Sequence, residues 1–304
     1  MLVSVIVCAY TMERYSDLCE AIQSLMNQSH DDLEIIVVID EDRELYDNVR
    51  REFDVKVIFN EKRVGLPGSR NIGLRVAEGD VVAFFDDDAI ADRRWLEELV
   101  KMYEIYDAIA AGGKILPLWI GCKPRYLPEE FYWLVGATHK GFPECIAEVR
   151  NTFTSNLSFR TDVLKELGGF KSELVERGGI PMQSEETELC ERMRITFGRG
   201  VMYNPDAIVY HKVYPEKLRL GYLLRRNFWQ GYSKAIMEKI VGRLDEEKGF
   251  LKYLLLKRTG ERLMKALKGS GEDLVKLMTI WLFTLTVGIG FLYGKFSGLQ
   301  PKSD

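Results

Sequence analysis

The 304-residue sequence has only three histidines and five cysteines, and no two cysteines form a CxxC pair. Cys8, Cys19, Cys122, Cys145 and Cys190 are an odd, scattered set. That argues against a disulfide scaffold or a zinc knuckle and fits a reducing compartment. No internal repeat and no dominant residue type occurs, which removes solenoid, collagen and coiled-coil architectures. Neither GxGxxG nor a Walker A sequence is present, so dinucleotide and P-loop binding lack support. The chain opens directly into LVSVIVCAY, with no basic leader and no small-residue cleavage site, so a signal peptide is not expected.

What is present suffices for a packed core. Hydrophobic residues make up 46% and charged residues 29%, which excludes disorder. The net charge of −4 conceals an asymmetry: residues 1–211 carry a net −13, residues 212–268 a net +9, and residues 269–304 balance. An acidic body with a basic neck points to an anionic surface met by the C-terminal part.

Apolar runs at LVSVIVCAY, LEIIVVID (33–40), VKVIFN (55–60) and DVVAFFD (80–86) have the length and β-branched content of buried strands. Between and after them lie helical spacings: Leu18, Ile22 and Leu25; Leu66, Ile72, Val76 and Ala77; Leu96, Leu99, Val100 and Tyr103. Alternating strands and helices predict βαβ units and a mostly parallel sheet, with ligands at the carboxyl ends of the strands. Residues 111–211 read as irregular, with helices at 161–168 and 184–197. The predicted organisation is a domain over 1–216, halved at 110, then basic helices over 217–270 and an apolar segment over 271–304.

In 247–268 the leucines 251, 254, 255, 263 and 267 alternate with Lys252, Lys257, Arg258, Arg262, Lys265 and Lys268, a pattern suited to an anionic bilayer or to a solvated helix packed on the domain. Residues 277–294 are eighteen uncharged residues between Lys276 and Lys295. As a helix they measure about 27 Å, just short of a ~30 Å hydrocarbon core. A membrane-inserted or in-plane helix is favoured over a buried soluble one.

The sharpest chemical feature is Asp86-Asp87-Asp88 at the end of VVAFF. Carboxylates clustered at a strand end suit a hard divalent cation, Mg²⁺ or Mn²⁺, shared with substrate phosphates. The competing reading is a solvated turn with Asp88 or Asp92 capping the next helix. Asp40 ends its strand as a ribose- or base-binding acid does, or as a capping residue. In NEKRVGLPGSRNIG (60–73), Arg70 and Asn71 are placed to reach a ligand. Glu185 and Glu186, after Ser184, either begin and cap a helix or supply a general base. His211, after AIVY, is a metal ligand or a satisfied core imidazole.

Taken in order, these pieces resemble family-2 glycosyltransferases of the GT-A fold. The match runs from VSVIVCAY to about Gly231 and includes IIVVID, VGLPGSRNIGL, FFDDDA, NTFTSN, SFRTDVL, SEETEL and VYH. The resemblance implies an inverting, metal-dependent transfer from a nucleotide-diphospho-sugar, with UDP favoured. Under it, Ala9, Tyr10, Glu13 and Asp40 line the nucleoside site and Arg70 lies near the nucleotide. Asp86 and Asp87 meet the donor, and Asp88 and His211 meet the metal. Glu186 or Glu185 is the base, while Asn156, Arg225, Arg226 and Trp229 serve diphosphate and acceptor. RRNFWQG departs from the QxxRW of processive synthases, which disfavours a polymerase. Within the family the sequence looks most like archaeal enzymes that extend dolichyl-phosphate-linked sugars, including glucuronosyl transferases acting on glucosyl-dolichyl phosphate. That likeness implies a lipid-linked acceptor and a catalytic domain on the cytoplasmic side of the membrane. The rival readings are a polyprenyl-phosphate sugar synthase, a nucleotidyltransferase and a non-catalytic nucleotide-sugar-binding protein. Nucleic acid is not an expected partner, because the basic stretch is interleaved with leucines rather than stacking aromatics.

Overall fold

The computed structural model describes residues 1–171, 176–177, 180–181, 185–241 and 245–297. Alternating strands and helices open the chain: β1 (Val3–Ala9), α1 (Tyr15–Met26), β2 (Leu33–Asp40), α2 (Arg43–Glu52), β3 (Lys56–Asn60), α3 (Gly65–Val76) and β4 (Val81–Asp86). A short β5 (Ala89–Ala91) precedes α4 (Trp95–Glu104), β6 (Ala110–Trp119), β7 (Ala147–Val149), β8 (Leu157–Arg160) and α5 (Thr161–Glu166). A two-residue pair, β9 (Glu176–Arg177) and β10 (Ile180–Pro181), is followed by α6 (Glu185–Phe197), β11 (Val201–Val213), α7 (Leu220–Val241) and α8 (Asp245–Lys252). A π-helical stretch (Tyr253–Arg258), α9 (Thr259–Leu267) and α10 (Gly271–Phe296) complete the described chain. The expected N-cap Ser184 and residues 298–304 lie outside the described residues.

Among the described residues nine strands form one sheet in the order β3-β2-β1-β4-β8-β6-β11-β5, with β7 on β11. The first four are parallel, as βαβ crossovers require. From β4 onward the pairings differ from the mostly parallel expectation: β8 runs antiparallel to β4 and β6, and β11 antiparallel to β5 and β7. The sheet is therefore mixed. These later strands hid in the stretch read as irregular because β6 contains Gly112, Gly113 and Pro117, and β11 contains Pro205, all weak strand formers. The glycines are needed for close approach: a Cβ on Gly112 would lie 2.1 Å from Thr152 Oγ1, and one on Gly113 1.9 Å from the Ala207 carbonyl.

The sheet buries both faces. On one side Ile6, Ile36, Val38 and Phe84 pack against Leu74, Phe159, Phe170, Leu189 and Met193. Phe84 meets Phe170 edge-on at 5.0 Å, and on the other side Phe85 meets the fully buried Trp95 at 5.1 Å. Each such side chain contributes roughly 1.5–3 kcal/mol by leaving water. The α1 stripe Leu18, Ile22, Leu25 and the α4 stripe Leu96, Leu99, Val100, Tyr103 are buried as their spacing predicts. In α3 the pattern fails for a reason: Leu66 is exposed while Arg70 faces inward.

The chain divides into two compact units. One comprises Met1–Leu116, Pro143–Val175 and Glu185–Lys212. The other comprises Pro117–Phe142, Glu176–Ser184 and Val213–Asp304, so 117–142 groups with the C-terminal helices. In that second unit Glu130 is fully buried between Arg258 and Arg262, and Arg262 also pairs with Glu129 at 2.8 Å and Asp273 at 2.9 Å. Arg258 and Arg262 therefore face inward and are not part of a solvated basic face.

Candidate active site

Register places the site. β1 lies between β2 and β4, with Ala9 opposite Ile39 and Cys8 opposite Asp86, so Ala9, Asp40 and Asp86 end on one edge of the sheet. Ligands of open parallel sheets bind at such carboxyl edges. Asp40 is buried there, with its carboxylate held by Asn60 Nδ2 at 2.9 Å and the Val64 amide at 3.2 Å. Tyr10, just past β1, is 44% exposed, and the Arg63 guanidinium lies 5.4 Å from its ring. Glu13 is exposed in the following turn, which Thr11 caps.

Asp86 ends β4, and Asp87 and Asp88 form the turn to β5. β5 pairs antiparallel with β11, placing His211 opposite Ala89, and the Lys212 amide donates to the Asp88 carbonyl at 2.9 Å. This brings His211 Nε2 to 3.1 Å from Asp88 Oδ1 and 4.0 Å from Asp86 Oδ2. One donor atom from each of Asp86, Asp88 and His211 lies within 4.8 Å of the others. Donors sharing an ion at about 2.0–2.3 Å sit roughly 3–4.5 Å apart, so small side-chain movements close the set. Two carboxylates and an imidazole suit a divalent cation such as Mn²⁺ or Mg²⁺.

The charge in the turn also favours a cation. Burial pushes the Asp87 carboxyl up to about 7, and Asp88 beside it adds to the rise, against the Arg14 guanidinium. Arg14 reaches Asp87 at 3.4 Å and Asp88 at 3.2 Å. Neither Asp88 nor Asp92 caps α4: its N-cap Arg94 has no side-chain cap bond, and Asp92 accepts from the Arg94 amide at 3.0 Å in the turn before it.

Arg70 links the aspartates to α6. It is 4% exposed, lies 3.7 Å from Asp86 and 3.3 Å from Glu185, and donates to Thr154 Oγ1 at 3.0 Å. Burial opposes its charge, but Glu185 and Asp86 outweigh that and raise its pKa. Glu185 and Glu186 open α6, where carboxylates favour the positive end of the helix dipole.

Asn156 has a different place from the one anticipated. It is fully buried; its two N–H bonds go to the Lys114 and Ala207 carbonyls at 3.2 and 2.8 Å, and its oxygen accepts from Trp95 Nε1 at 2.8 Å. With both N–H bonds committed inside the sheet, it has none for a diphosphate or an acceptor. Arg225, Arg226 and Trp229 lie on α7 in the second unit. Arg225 is exposed, Arg226 donates to Tyr222, and Trp229 packs on Tyr232. Arg14 and Thr154 were not anticipated; a lone basic residue one turn beyond β1, facing three acids on the same edge, was the available signal.

The profile described as "Glycosyl transferase family 2" matches residues 4–168. A glucosyl-dolichyl phosphate glucuronosyltransferase of Haloferax volcanii is 40% identical over 97% of this chain and 96% of its own length. An uncharacterized glycosyltransferase of Haemophilus influenzae is 40% identical over 70% of this chain and 66% of its own. Among solved structures, the mannosyltransferase PcManGT of Pyrobaculum calidifontis in complex with GDP-Man and Mn²⁺ superposes with a TM-score of 0.62 at 16% identity, covering 97% of this chain and 87% of that one. Residues 1–349 of S. aureus TarS in complex with UDP superpose with a TM-score of 0.54 at 18% identity, covering 98% and 91%.

Proposed function

The chain belongs to glycosyl transferase family 2, and from that premise we propose that it moves glucuronate from UDP-glucuronate to glucosyl-dolichyl phosphate with inversion at the anomeric carbon. It is a glycosyltransferase with a mixed-sheet GT-A fold. The choice of donor and acceptor is supported by the Haloferax volcanii relative, whose alignment spans nearly both chains.

The single observation that carries the catalytic reading is the Asp86–Asp88–His211 set with Arg70 bridging Asp86 and Glu185. Those three residues would hold the divalent cation. When bound, it supplies positive charge to the diphosphate as the sugar bond breaks. Asp40, fixed by Asn60 and the Val64 amide, holds the nucleoside, with Tyr10 and Ala9 lining the same edge. Arg70 is a positioning residue: its guanidinium fixes the Glu185 carboxylate at the start of α6. Glu186, the next residue on that first turn, is the general base that takes the acceptor hydroxyl's proton. One displacement from the face opposite the leaving group then inverts the sugar.

The acceptor carries a lipid, so the enzyme works at a membrane, with the catalytic residues on the cytoplasmic side. The membrane association, though not the side, is supported by α10, a 26-residue helix long and apolar enough to cross a bilayer.

The test is UDP release from UDP-glucuronate with a short polyprenyl-phosphate-linked glucose and Mn²⁺ or Mg²⁺, followed by assignment of the product's anomeric configuration. The proposal predicts acceptor-dependent release and a β-linked product from the α-linked donor. Turnover of UDP-glucose with no response to UDP-glucuronate, or a product of unchanged configuration, would overturn it.

A further inference from the structure

We propose that α10 lies flat on an anionic bilayer, attached through one apolar face, and does not cross the membrane. This rests on the membrane association proposed above and is independent of the donor and the acceptor.

The two faces of α10 differ. Leu274, Met278, Trp281, Leu285, Ile289, Leu292 and Phe296 are all exposed, at spacings of three and four, along a helix about 39 Å long. Only 28% of its most apolar window is buried, so it is not the core helix of a soluble domain. The opposite face is committed from end to end to this unit's own elements. Near the N-terminus Asp273 pairs with Arg262 at 2.9 Å, Lys276 with Glu129 at 3.1 Å, and Phe283 stacks edge-on against Phe131 at 5.3 Å. Near the C-terminus Gly290 meets α7 so closely that a Cβ would lie 1.9 Å from the Phe228 carbonyl. There Lys239 donates to the Gly294 carbonyl at 3.3 Å and Lys295 pairs with Glu238.

A bilayer-spanning α10 would carry these partners with it. With Phe228 held on Gly290, Arg225 and Arg226 one turn earlier in α7 would enter hydrocarbon, where each charge costs several kcal/mol. A helix with one free apolar face and one ion-paired face meets the boundary between headgroups and acyl chains instead. Charge selects the lipid. Arg258 and Arg262 are buried in ion pairs, but Lys252, Lys257, Lys265 and Lys268 are exposed. Next to the exposed Leu263 and Leu267, the exposed Lys257, Met264 and Lys268 share a stripe at spacings of seven and four. A basic border on an apolar face matches anionic headgroups.

The experiment uses the full chain with exposed Cys122 and Cys145 changed to Ser, and single nitroxide labels at Leu274→Cys, Leu285→Cys and Phe296→Cys. Protein is bound to phosphatidylglycerol/phosphatidylcholine vesicles without dolichyl lipid or donor, so the readout is separate from catalysis. The proposal predicts equal immersion depth at all three positions, while a span would set Leu285 about 16 Å deeper than either end. It also predicts roughly tenfold or greater loss of vesicle binding on raising NaCl from 0.1 to 1 M, and for L285D/I289D with an unchanged circular dichroism spectrum. A midpoint depth maximum, equal binding to pure phosphatidylcholine, or a soluble dimer that covers the stripe and ignores vesicles would each overturn it.

Discussion

Arg70 and Glu185, 115 positions apart in sequence, form an ion pair at 3.3 Å whose other side is Asp86 at 3.7 Å. One buried guanidinium thus joins α3, the end of β4 and the first turn of α6. Arg70→Met leaves two carboxylates facing each other without their counter-ion. Removing one partner of a buried pair costs about 3–5 kcal/mol, reduced here to roughly 2–4 because both carboxylates keep part of their hydration. Urea denaturation measures this. A loss under 1 kcal/mol would mean that the pair does not organise the site.

Glu185 and Glu186 should separate in kinetics. Glu186→Gln is expected to lower kcat roughly 100-fold or more while UDP binding changes little, the signature of a lost proton acceptor. Glu185→Gln weakens the hold on Arg70 and should lower stability along with activity. If Glu186→Gln turns over normally with a lipid-phosphate acceptor, no base is needed and the polyprenyl-phosphate sugar synthase reading gains.

Asn156→Ala tests the reassignment of that residue to the sheet core. It strands the Trp95 indole N–H and the Lys114 and Ala207 carbonyls, at a cost of about 2–4 kcal/mol. Thermal and urea unfolding should show the loss while KM for donor stays unchanged in the surviving folded enzyme. The opposite pattern, full stability with raised KM, would return Asn156 to the ligand site.

Acid should weaken the second unit. Burial works against ionisation of Glu129, but its backbone amide together with Lys276 and Arg262 outweighs it and brings the carboxyl from near 4.5 down to about 2. Glu130, between Arg262 and Arg258, is lowered in the same way. A depressed carboxylate contributes stability that is complete above its unfolded pKa and is lost as pH falls through the folded one. The Tm of the wild type should therefore drop between about pH 4.5 and pH 2 more steeply than that of Glu129→Gln, the two curves converging at the acid end. Parallel curves would exclude the network.

The parts legible from sequence were those governed by local periodicity. The strand runs ending at Asp40 and Asp86 and the Leu18 and Leu96 helix stripes needed only neighbours a few residues apart. β6 was hidden because Gly112 and Gly113 answer to close packing and not to strand propensity, and β11 because Pro205 is a weak strand former. The partner of Arg70 was hidden because an inward-facing arginine looks polar to any pattern until Glu185 and Asp86 are seen beside it. Arg258 and Arg262 misled in the same way: counted as a basic surface, they neutralise Glu130. Asn156 sits in a stretch that matches the family, yet its chemistry there is structural.

The most direct test is binding of Mn²⁺ in the presence of UDP, followed by electron paramagnetic resonance, for wild type and Asp88→Asn. One bound ion is predicted for the wild type, weakened by more than roughly 100-fold in the variant, with activity abolished by a chelator and restored by Mn²⁺. Equal binding by both proteins, or full turnover in the chelator, would contradict the account.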